Sequence, residues 1–136
     1  MPNIQNSIAI IKMALIQNSD ITDIVSDRIY SSHFYDLDNS TIEYPMIIVD
    51  YDGGQAGYGK SHQLVNIHIY VYSKYNTDQC LEIYEMIYET LQGRGLGNSN
   101  LSDKGYIREN KRPINGYNSQ TMSYYSMAEY LLMTAG

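Results

Sequence analysis

Cysteine is almost missing from this chain: Cys80 stands alone among 136 residues. No intramolecular disulfide can brace the fold, and no Cys/His cluster has the spacing of a structural zinc site. Tryptophan is absent and phenylalanine occurs once, so fifteen tyrosines supply nearly all the aromatic surface. Such rings are amphipathic and serve equally in half-buried sheets and across interfaces. Basic residues are scarce as well: nine Lys+Arg against fifteen Asp+Glu give a net charge of −6. That balance offers no broad cationic surface for a phosphate backbone, and nucleic acid is not an expected partner. No apolar run approaches the roughly 18 residues of a membrane span. The opening Met1-Pro2-Asn3 has no basic segment, and Gln5, Asn6, Ser7 and Lys12 interrupt the apolar residues that follow, unlike a signal peptide. A cytosol-like compartment is expected, with one domain over 1–136, since domains average about 150 residues.

What is present is a clear alternation of helical and extended patterns. Ile4, Ile8, Ile11 and Leu15 recur at helical spacing and predict an amphipathic N-terminal helix over 4–17. Asp20 is placed to cap a short helical turn running to Val25, and Arg28-Ile29-Tyr30 begins an extended stretch. The polar run 36–43 reads as a loop. Pro45 opens a strand at 46–51, apolar throughout and so fit for a central position. Residues 64–73 alternate: Val65, Ile67, Ile69 and Val71 on one face, Asn66, His68, Tyr70 and Tyr72 on the other. Asp52 to Ser61 holds four glycines and reads as a long flexible hairpin tip between these two strands.

A second amphipathic helix spans 77–92, capped by Asn76 with Gln79 reaching back, and ended by Gly93. Cys80, Tyr84, Ile87 and Leu91 form its core face, while Glu82, Glu85 and Glu89 form an exposed acidic face. Ile107 among charges suggests an edge strand over 106–112, and Pro113-Ile114-Asn115-Gly116 reads as a turn. The last segment, 120–133, is a strand apolar on both faces. The fold class expected is α+β, a single domain. It has a mixed, mainly antiparallel sheet of about four strands with a glycine-rich hairpin tip, flanked by the two helices.

Gly54 to Ser61 satisfies the pattern G-x-x-x-x-G-K-[ST], the loop that cradles nucleotide phosphates through backbone N–H groups and a lysine. That chemistry needs a helix directly afterwards, whose N-terminal N–H groups face the phosphates. Period-two alternation follows instead, so a hairpin tip is favoured over a small nucleotide-binding protein acting through residues 54–61. His62 and His68 are about 20 Å apart along an extended strand and cannot share a metal unaided. No catalytic residue, cofactor or metal site is expected.

The ordered set Ile21 to Tyr30 (Ile-Thr-Asp-Ile-Val-Ser-Asp-Arg-Ile-Tyr), Glu43 to Val49, Gln63 to Ser73 and Cys80 to Leu91 resembles the tail-terminator, or tail-completion, proteins of tailed bacteriophages. The resemblance implies a non-enzymatic virion protein located at the head-proximal end of the tail and present in host cytoplasm during assembly. Six copies would form a homohexameric ring that caps the tail tube, ends its elongation and forms the joint to the head connector or neck proteins. A head-side connector or collar protein of the same virion is the alternative. The expected partners are further copies of the chain, the tail tube protein and those connector proteins. Gly54, Gln55, Gly57, Tyr58, Gly59 and Lys60 at the tip, with Tyr70 and Tyr72 on the less apolar strand face, are the candidate contacts to a neighbouring subunit or the tube.

Overall fold

The strictest alternation in the sequence lies at the centre of the structure. A computed structural model describes residues 4–31, 43–56, 62–91 and 106–135, with side chains described for 8–31, 43–51, 65–91 and 107–132. In chain order it forms α1 (Ile4–Ile16), α2 (Ser19–Val25), β1 (Ile29–Tyr30), β2 (Met46–Ala56), β3 (His62–Ser73), α3 (Thr77–Leu91), β4 (Tyr106–Asn118) and β5 (Ser123–Ala135). The five strands make one sheet in the order β1-β2-β3-β5-β4. β1 runs parallel to β2 and the other pairs are antiparallel. The architecture is α+β and mixed, as expected, with five strands and three helices among the described residues.

Both central strands bury one aliphatic face. Val65, Ile67, Ile69 and Val71 of β3 join Ala128, Tyr130 and Leu132 of β5 and Ile47 and Val49 of β2. Ile11 and Leu15 of α1, Ile21 and Val25 of α2, and Cys80, Ile83, Tyr84, Ile87 and Leu91 of α3 cover them. The spacing assigned to α1 holds at Ile11 and Leu15, both fully buried, while Ile8 is half-buried; the Ile4 side chain lies outside the described set. Cys80 occupies the core position its spacing required.

The helix ends correct one expectation and refine another. α2 is capped by Asn18, whose Oδ1 accepts the Asp20 N–H at 2.9 Å, so Asp20 is a first-turn acid and not the cap. Asn18 also donates its amide to Thr90 Oγ1 at 2.7 Å, tying the α1–α2 junction to the end of α3. At α3 the Gln79 N–H donates to Asn76 Oδ1 at 2.8 Å, as the cap requires. The Gln79 side chain, however, accepts from the Ser73 hydroxyl, which anchors the helix start to the end of β3. Arg28 fastens α2 to the entry of β2, with Nε donating to the Pro45 carbonyl at 2.9 Å and Nη2 to the Ile24 carbonyl at 3.2 Å.

Two stretches read as turn or loop are strand. Pro113 to Gly116 lies inside β4, where register shifts between Glu109 and Lys111 and between Lys111 and Ile114 absorb the extra residues. An edge position with bulges is where a sheet tolerates proline, because its missing N–H is not needed by a neighbour. Asp52 to Ala56 continues β2: Gly54, Gln55 and Ala56 pair with Val65, Leu64 and Gln63 after a bulge beyond Tyr51. The expected loop 36–42 and the tip 57–61 lie outside the described residues.

Candidate functional site

Of the candidate tip residues, Gly54 and Gln55 are sheet residues on β2. Gly57, Tyr58, Gly59 and Lys60 lie outside the described set. The chain is strand on both sides of the glycine-rich motif, with β3 beginning at His62. The helix that a phosphate-cradling loop needs does not follow.

The structure separates the two tyrosines taken as contacts. Tyr70 is half-buried, but Tyr72 is only 3% exposed and belongs to a second small core with Met46 and Ile48, so it offers no free contact surface. That core lies on the sheet face opposite the helices. It forms because Tyr30, Tyr44, Tyr70 and Tyr125 fold their rings against it. Tyr70 and Tyr72 stack with centroids 5.9 Å apart at 14°, and Tyr125 sits 5.8 Å from Tyr72. Across from Tyr125 on β4 is Gly116, and a Cβ there would overlap the Tyr125 ring. A glycine opposite an aromatic lets the ring cover bare backbone.

Beside this cluster runs a polar row. Strand register aligns Asp50, His68, Glu129 and Lys111 across four strands. His68 Nε2 lies 3.3 Å from Glu129 Oε1, and the Asn110 amide donates to Glu129 Oε2 at 2.6 Å. The Asn110 hydrogen bond, then His68 and Lys111, hold the Glu129 carboxyl below its ordinary range. Among the described residues no group of three or more His, Cys, Asp or Glu is arranged to hold a metal ion.

The sequence reading missed a polar cluster beneath α3. The Tyr84 hydroxyl donates to Glu109 and lies 2.8 Å from the Tyr130 hydroxyl, while Arg112 Nη1 meets Glu109 Oε1 at 3.0 Å. Burial, then the neighbouring carboxylate, pushes the Tyr84 hydroxyl pKa well up, and burial does the same to Tyr130. Strand parity carried the signal: Glu109 shares a face with buried Ile107. A carboxylate on that face has to find partners, since an unpaired buried charge is costly. Arg112 also approaches Glu85 at 3.7 Å, placing part of the acidic α3 face in an ion-pair chain.

Ile8, Ala9, Lys12, Met13 and Ile16 of α1 line an open groove of about 230 Å³ together with Ser31. Met13 and Ile16 remain 42% and 48% exposed.

No protein-family model and no curated protein matches this chain. Its fold is similar to that of a chain in a solved structure described as "Virion of native gene transfer agent (GTA) particle". The TM-score is 0.70 at 11% sequence identity, and the match covers 95% of this chain and 94% of that one. The likeness is one of whole-domain fold.

Proposed function

We propose that this chain is a structural virion protein, without enzymatic activity, that caps a phage tail tube as a ring and forms the joint to the head connector. The observation that carries the reading is the fold likeness to a virion chain over almost the full length of both. The order of motifs from Ile21 to Leu91 that resembles the tail-terminator family supports it from the sequence side. Ring closure requires a heterologous interface, in which one patch of a subunit meets a different patch of the next. The partners are then further copies of the chain, the tail tube and the connector or neck proteins, and the location is the head-proximal end of the tail.

Deleting Gln55 to Gly59 in the assembling phage, with particles viewed by electron microscopy, tests the role. Tails of uncontrolled length or without heads are expected. Tails of unchanged length with normal joining exclude the tip from capping. Labelled protein found on the head side of the joint in such particles would favour the connector or collar reading.

A further inference from the structure

The two outer edges of the sheet carry opposite charge. β4 closes one edge, with Arg108, Lys111 and Arg112 exposed, whereas its acid, Glu109, is turned inward to Tyr84 and is 8% exposed. At the other edge α2 leads into β1 with Asp20, Asp23 and Asp27 exposed. There Arg28 is turned inward, spent on the carbonyls of Pro45 and Ile24, and Lys12 on α1 is half-buried. Arg112 is paired with Glu109 and Glu85, so the outward cations of this edge strand β4 are chiefly Arg108 and Lys111. Each edge also carries exposed apolar surface, Ile114 and Tyr117 on β4 and the Met13–Ile16 groove on α1. Because β1 and β4 are the first and last strands in the sheet order, these surfaces face away from each other and cannot meet within one domain.

We propose that the chain binds a second copy of itself head to tail, the cationic β4 edge of one copy docking on the anionic α2–β1 side of the next. The inference rests on the ring reading above and names the interface that would close such a ring. Contact is through side chains and not by strand addition, since bulges, Pro113 and outward cations block pairing along β4. Opposed charges fix the direction of assembly and reject the like-with-like pairing of two identical edges.

Light scattering on the purified full chain over a concentration series reads the outcome. The unaltered chain is expected to form a discrete closed oligomer that loosens as salt rises from about 0.1 M toward 1 M, where charge screening shortens from about 10 Å to about 3 Å. Asp23→Lys with Asp27→Lys, or Arg108→Glu with Lys111→Gln, should each raise the dissociation constant about tenfold or more. All four changes in one chain should restore assembly, which a merely misfolded variant would not do. Single-edge variants that assemble as well as the parent overturn the interface while leaving the ring intact. A parent chain that stays monomeric at every concentration also overturns it, and leaves the ring to the tail-length experiment.

Discussion

The two faces of the sheet solve the same packing problem with different side chains. The helix-covered face is aliphatic apart from the Tyr84–Tyr130–Glu109 cluster, and three helices cover it. The opposite face keeps Met46, Ile48 and Tyr72 out of water beneath the edges of tyrosine rings, with a row of charges beside them. Shape-matched aliphatic packing supplies most of the stability, because buried methylene groups contribute without needing polar partners. Tyrosine closes the second face because one end of the ring tolerates water.

The sharpest test of that contrast sets Ile67→Ala against Ile48→Ala, both residues being fully buried. Urea unfolding should show a loss of about 4 kcal/mol for Ile67 and about 2 kcal/mol for Ile48, where rings can settle into the space. Equal losses would mean that the tyrosine face is packed as rigidly as the helix face. On the helix face itself, Glu109→Gln should cost about 2 kcal/mol by removing the charged acceptor shared by Tyr84 and Arg112. Tyr84→Phe in the same background should then add less than it does alone.

Alkaline pH probes the same face. Burial raises the Cys80 thiol from its ordinary 9.0 to about 11, and Tyr84 and Tyr130 shift in the same direction. The folded state holds these protons more tightly than the unfolded one. The thiol's contribution is therefore complete below pH 9 and is lost as pH rises through about 11, amounting to about 3 kcal/mol, while that of the two tyrosines begins to fall only above their ordinary 10.0. Denaturation midpoints should fall across that window, and Cys80→Ala should flatten the first part of the fall.

Gly116→Ala should cost about 1 kcal/mol by lifting the Tyr125 ring, with a change in the near-ultraviolet circular dichroism of the tyrosine cluster. The smallest effect belongs to the polar row. Glu129→Gln should change stability by less than about 1 kcal/mol, in full above pH 4.5 and fading below it, because a lowered carboxyl pKa stabilises the fold once the group is ionised and stops doing so as acid protonates it.

Much of this fold was legible wherever one periodicity dominated. The parity of β3, the spacing of Ile11 and Leu15, and the Asn76 cap all follow from contacts within a turn or across one strand. The stretch around Pro113 was not legible, because bulges on an edge strand let proline, asparagine and glycine remain extended against β5, a decision taken by a partner far along the chain. Gly54 was misplaced for the same reason, its strand conformation being imposed by Val65 opposite. Tyr72 was assigned to a contact surface because alternation says which face a residue occupies but not whether that face is covered. Glu109 went unnoticed since its partners Tyr84 and Tyr130 come from distant parts of the chain.

β5 lies inside the sheet although it comes last among the described elements, holding β3 on one side and β4 on the other. Its pairs with β3 join residues as far apart in the chain as His62 and Ala135, so closing them demands that a long intervening segment first be brought to order. A nascent chain can form α1, α2 and the β2–β3 hairpin, but until β5 arrives β4 has no strand to lie against. Folding should therefore be completed late and in one step, and the β4 edge should become available to other molecules only on chains whose sheet is already finished.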